Sequence, residues 1–164
     1  MDIQNFSTFT SSDNDEVETP IDELCEQLYV LLASSYTLYL KTQNFHWNVT
    51  GPFFGPLHSL FNELYDDLAE FNDLIAERIR ALNMFVAGSF SQFAAVSRIQ
   101  ESLSVPSYVN MVDTLIVDNN IMIQLLNIGI DIAKESGEEG VISLLADRIN
   151  VHKKFVWKLN SILQ

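Results

Sequence analysis

Residues 57–87 contain neither glycine nor proline, the two residues that most readily end a helix. At about 100° per residue, Leu57, Leu60, Leu64, Leu68, Phe71, Ile75 and Leu82 of this run fall within one arc. The pattern predicts a long amphipathic helix starting near Gly55-Pro56, and such a helix must bury its apolar face against others of similar length. The rest of the chain supplies them. Thr19-Pro20 with Asp22 is a helix start, and Ile21, Leu24, Cys25, Leu28, Leu31 and Leu32 recur at helical spacing toward Gly51-Pro52. A third helix is expected over about 107–136, stopped by Gly137, and a fourth over about 138–162. Between Gly88 and Pro106 the pattern breaks, and Phe90, Phe93 and Ile99 predict a short helix inside a long crossover. The expected fold is all-α, a four-helix bundle with its long crossover between helices 2 and 3.

Residues 1–18 are acidic and polar and read as a flexible tail, leaving 19–164 as the bundle domain. The formal net charge of −13 points away from nucleic acid, whose phosphates are met by Lys and Arg. Residues 1–40 hold eight acidic side chains and no Lys or Arg, so counterion release cannot drive DNA binding from this tail. The single Cys25 excludes a disulfide within the chain, suits a reducing compartment, and lies on the core face as a small hydrophobe. No stretch approaches the ~20 continuous apolar residues that span a bilayer, and no secretory signal is visible at the N-terminus. A cytoplasmic protein without membrane association is expected.

Chemistry concentrates in residues 44–77, NFHWNVTGPFFGPLHSLFNELYDDLAEFNDLIAE. His46 and His58 flank the predicted turn between the first two helices, while Asp73 and Glu77 lie four apart on one helix face. Singly, each has an ordinary reading: hydrogen-bonded structural histidines, and a solvated acidic pair with Arg78 or Arg80 as partners. Together they form a mixed nitrogen and oxygen donor set suited to Fe(II), Mn(II) or Zn(II). Along one helix, however, His58 lies roughly 22 Å from Asp73 and roughly 28 Å from Glu77. Since metal–ligand bonds are only ~2 Å long, a single copy cannot close this site. A twofold dimer with antiparallel second helices can, and it produces two identical sites about 20 Å apart. Glu63, Asp66, Asp67 and Glu70 form a carboxylate stripe that reads either as a solvated face or as a cation-collecting surface. Trp47 reads as a packing residue that a neighbouring redox metal could also oxidise, and His152, within HKK, as exposed or salt-bridged.

The NFHWNVTGPFFGPLHSLFNELYD run and the DLIAERI that follows resemble the Dps family of dodecameric mini-ferritins, and the likeness extends over about residues 20–164. The resemblance implies a ferritin-like bundle assembled as a hollow homododecamer from twofold dimers. It implies a ferroxidase centre between subunits, with His46 and His58 from one and Asp73 and Glu77 from the other. At most two irons would bind there, Fe(II) would be oxidised preferentially by hydrogen peroxide, and ferric mineral would be stored inside. Where the family commonly carries an Asp, this chain has Asn62, which implies a weak ligand or a supporting role and a weakened second iron site. Glu63 is a candidate for nucleating mineral. The segment GEEGVISLL departs from the family's pore pattern at Val141 and Ser143, leaving Glu138, Glu139 or Asp131 as candidates for iron uptake. Two rival readings are a DNA-binding nucleoid protection protein and an iron-poor structural shell.

Overall fold

The computed structural model describes residues 19–163, which form five helices: α1 (Pro20–Asn48), α2 (Phe54–Ala81), α3 (Phe90–Val96), α4 (Tyr108–Glu135) and α5 (Glu139–Leu163). The segment expected as a tail, 1–18, lies outside the described residues. α1 opens on a capping box. The Thr19 hydroxyl oxygen accepts from the Asp22 backbone N–H at 3.3 Å, and the Asp22 carboxylate accepts from the Thr19 backbone N–H at 3.0 Å. The box satisfies N–H groups that the first turn would otherwise leave unpaired. α1 and α2 meet across a short turn in which Gly51 adopts φ +105°, with the Tyr108 ring close against it. A β-carbon on Gly51 would sit 3.4 Å from that ring, in a backbone region that favours glycine.

α2 runs unbroken through the arc foreseen for it, and Leu57, Leu60, Leu64, Leu68, Phe71 and Ile75 are all buried. It stops at Ala81, ahead of Gly88. The Leu82 N–H closes onto the carbonyls of Arg78 and Ile79, and Asn83 turns the chain with φ +68°. Asparagine tolerates that left-handed conformation better than most residues, so it ends the helix without a glycine. Leu82 is therefore a half-buried cap residue. α4 packs on α5 and on α1, α1 packs on α2, and the short α3 lies against α1. Phe93 of α3 and Ile99 beyond it are buried, as their spacing suggested. By length and composition α4 is apolar enough to cross a bilayer. In this fold it is a bundle helix whose Asp118 pairs with Lys41 of α1 at 2.6 Å, both side chains buried.

His152 departs from its expectation: it is fully buried. It lies on the same face of α5 as Leu145, Ile149, Phe155 and Leu159, so helical phase outweighs the two lysines beside it. Arg148 Nε donates to its Nε2 at 3.0 Å. A guanidinium has no acceptor, so Nε2 carries the lone pair and the protonated Nδ1 donates to Asn119 Oδ1 at 2.7 Å. Asn119 in turn donates to the Leu115 carbonyl at 2.7 Å. The Arg148 guanidinium also pairs with Asp67 of α2 and lies 4.4 Å over the Phe71 ring, linking α5 to α2. Burial pushes the His152 imidazole well below its ordinary range, and the Arg148 charge adds to the shift.

Candidate metal centre

His46 occupies the last turn of α1 and His58 the second turn of α2, so the turn between the helices folds one imidazole onto the other. Their rings stack with centroids 3.7 Å apart and planes 20° from parallel. Two reciprocal hydrogen bonds hold the stack: His46 Nδ1 to the His58 carbonyl at 2.8 Å, and His58 Nδ1 to the His46 carbonyl at 2.9 Å. Carbonyl oxygens only accept, so each Nδ1 must carry a proton. In the neutral rings both Nε2 lone pairs are then free, the state that a metal-binding imidazole requires. Phe54 extends the stack beyond His58 at 5.1 Å, and Tyr65 sets its ring edge-on to His46 at 5.2 Å.

The carboxylates lie elsewhere. Asp73 and Glu77 are exposed on α2, and neither joins another described side chain by a hydrogen bond or ion pair. Because α2 is continuous, the rise that separates His58 from Asp73 by roughly 22 Å applies without a break. Among the described residues, no three His, Cys, Asp or Glu side chains gather closely enough to hold a metal ion. Arg78 and Arg80 are not partners of the acidic pair. Arg80 Nη1 donates to the Met84 carbonyl at 2.8 Å and its guanidinium covers the Phe85 ring, while Arg78 lies beside Gly140.

The acidic stripe divides. Glu63 holds Lys158 of α5 through both carboxylate oxygens at 2.5 and 2.6 Å, and Asp67 holds Arg148. Asp66 accepts from Asn62 Nδ2 at 2.6 Å, and Glu70 remains exposed. Half of the stripe thus pairs with cations of the same chain. Asn62 is committed on both atoms, since its Oδ1 accepts the Tyr65 hydroxyl at 2.7 Å. Of the uptake candidates, Asp131 pairs with Lys134 at 2.8 Å, Glu139 is exposed and Glu138 is half-buried. Val141 is a core residue and Ser143 is exposed. Trp47 is 62% exposed, not packed inside. Cys25 is buried, and burial aided by Asp22 and Glu138 pushes its thiol up to about 11, in keeping with an inert core residue.

The ferritin-like domain model matches residues 25–164. A DNA protection during starvation protein from Bacillus anthracis is 33% identical over 141 residues, covering 86% of this chain and 97% of the relative. The chain belongs to the Dps family of ferritin-like proteins. Among solved structures, a Dps protein from Bacillus brevis superposes with a TM-score of 0.87 at 28% identity, covering 91% of this chain and all of its own. A Dps protein from Vibrio cholerae O1, described as a member of a broad superfamily of ferritin-like diiron-carboxylate proteins, superposes at 0.85 with 30% identity, covering 93% of this chain and all of its own. Against this Dps background, sequence reasoning overlooked Tyr65. Its signal was spacing: seven residues beyond His58 is two helical turns, which puts both on one face of α2.

Proposed function

We propose that this chain is a ferroxidase whose substrate is Fe(II), with hydrogen peroxide as oxidant and a hollow homo-oligomeric shell, a dodecamer, as the store for ferric mineral. His46 and His58 of one protomer would supply neutral nitrogen donors, and the partner's Asp73 and Glu77 would supply negative charge and a bridging carboxylate. The observation that carries this reading is the reciprocal His46–His58 clasp, which uses both Nδ1 atoms on backbone carbonyls and leaves the Nε2 lone pair of each stacked ring available to a metal. Exposed, unpaired carboxylates far along the same helix support it, because a copy that cannot close the site alone still holds both halves of it. Anionic oxygen donors stabilise Fe(III) over Fe(II), so the carboxylate half favours the oxidised product. A cytoplasmic setting fits a protein that consumes ferrous iron and peroxide together.

A second reading concerns iron number. Both polar atoms of Asn62 are engaged within the chain, which favours one tightly held iron per site over two. Anaerobic titration with Fe(II) followed by peroxide in a stopped-flow spectrometer tests both readings. Ferric absorbance should rise rapidly in the parent protein and slow by at least about tenfold in His46→Ala, in line with the sensitivity of metal sites to lost ligands and their supports. Equal rates in the two proteins would sink the ferroxidase reading, and absence of any ordered iron at saturation would favour a structural shell. A nucleoid-binding role would need a clear gel shift at low salt without added divalent cation. The acidic balance predicts none.

A further inference from the structure

We propose that Tyr65 supplies the second electron when a single Fe(II) meets hydrogen peroxide at this site, and that Tyr39 and Tyr36 carry the resulting oxidising equivalent outward. The proposal rests on the ferroxidase reading above. Peroxide is a two-electron oxidant, and one Fe(II) gives one electron. Left alone, such a site releases hydroxyl radical. A phenol beside the imidazoles removes that problem. Fe(II), the Tyr65 phenol, hydrogen peroxide and one proton yield Fe(III), the Tyr65 phenoxyl radical and two waters. Iron and phenol each lose one electron, peroxide gains both, and the phenolic proton ends in water. The hole passes to Tyr39 and Tyr36 by exchange of one electron and one proton between neighbouring phenols. A second Fe(II) at the site returns an electron along the same path with uptake of one proton, giving Fe(III) and restoring all three phenols. The sum is two Fe(II) oxidised per peroxide, reached one iron at a time.

The geometry favours this residue. The Tyr65 ring meets His46 edge-on at 5.2 Å, and its hydroxyl donates to Asn62 at 2.7 Å. The Asn62 amide cannot be reversed cheaply, because the Asp66 carboxylate only accepts and so requires the NH₂ group. The substitution that weakens the second iron position therefore also anchors the phenol. Beyond Tyr65 the rings continue: Tyr39 lies 6.0 Å away, Tyr36 lies 6.4 Å further, and both contacts are edge-on. Tyr36 is 38% exposed on the groove between α1 and the crossover. It stacks on Phe93, a ring too hard to oxidise, so the path ends at the surface. Trp47 is chemically as oxidisable as tyrosine, but among the described residues no ring contact joins it to either imidazole.

The test loads the assembled protein anaerobically with one Fe(II) per site, adds peroxide, and freezes samples for electron paramagnetic resonance beside a parallel spin trap. The expected result is a tyrosyl radical whose hyperfine pattern changes with ring-deuterated tyrosine, and little trapped hydroxyl radical. Tyr65→Phe should bind Fe(II) with unchanged affinity by calorimetry, lose the radical, and release trapped hydroxyl radical. Tyr39→Phe should keep the radical on Tyr65 and lengthen its life. Fast iron oxidation with no tyrosyl radical overturns the proposal and leaves the ferroxidase reading intact. So does a radical that survives Tyr65→Phe and disappears in Trp47→Phe, which would make the indole the donor. Iron oxidation no faster than in His46→Ala overturns both.

Discussion

A carbonyl can only accept a hydrogen bond, so the contacts between His46 and His58 determine the position of protons as well as rings. His152 uses the same logic to the opposite end. Its Nε2 is occupied by Arg148 and its Nδ1 proton by Asn119, so the ring is sealed in a neutral form with no free lone pair. This has a consequence for acid stability. In the unfolded chain His152 takes up a proton as pH falls through its ordinary value of 6.5, while in the folded chain burial holds its pKa well below that. The unfolded state then binds more protons, so this residue lowers stability from about pH 6.5 downward, by up to about 1.4 kcal/mol per pH unit. His152→Gln keeps an amide oxygen for Arg148 and an N–H for Asn119 without the titration. Its acid-side stability slope, measured by urea unfolding at several pH values, should be flatter by one proton's worth. An unchanged slope would show that other groups govern acid unfolding. The clasped pair was legible as chemistry because His46 and His58 bracket a Gly-Pro turn. His152 was not, because two neighbouring lysines suggested a surface that helical phase does not allow.

Elements were legible where their punctuation is strong. Thr19-Pro20 with Asp22, and Ser107 at the start of α4, cap their helices as their residue types suggest. The end of α2 was less readable, because Asn83 closes it through a backbone conformation that sequence marks only weakly. Between elements, polar pairing was hidden altogether: nothing local in sequence joins Lys41 to Asp118, which meet only when α1 and α4 pack. Burial pushes the Asp118 carboxyl up, and the Lys41 ammonium beside it offsets part of that rise. Removing one member strands a buried charge, so Lys41→Met should cost about 3–5 kcal/mol. The double variant Lys41→Met with Asp118→Leu should recover that loss and be neutral to about 4 kcal/mol more stable than the parent. Denaturant unfolding at one fixed protein concentration measures all three proteins, since assembly itself contributes to apparent stability. A double variant as weak as the single one would mean the pair is needed for more than charge balance.

At the scale of the whole molecule, the decisive quantity is the length of α2. A helix that carries His58 near its start, clasped to His46 of α1, and exposed carboxylates in its second half offers each half of a site to a copy of itself, provided the copies run antiparallel. That arrangement makes a prediction that no site within one chain can match. One variant lacks the nitrogen half (His46→Ala, His58→Ala) and another lacks the oxygen half (Asp73→Ala, Glu77→Ala); each should be inactive alone. In a mixed dimer one site loses all its ligands, but the other takes histidines from one protomer and carboxylates from its partner and is complete. Random co-assembly from an equal mixture makes half the dimers mixed, and each has one working site of two, so about a quarter of the parent burst amplitude should return. The measurement is the amplitude of peroxide-driven ferric absorbance after joint refolding, compared with the same variants refolded apart and then combined. Recovery only after joint refolding requires a site shared between subunits. No recovery, with dimers shown to be mixed by differential tags, would return all four residues to a single chain or to no common site.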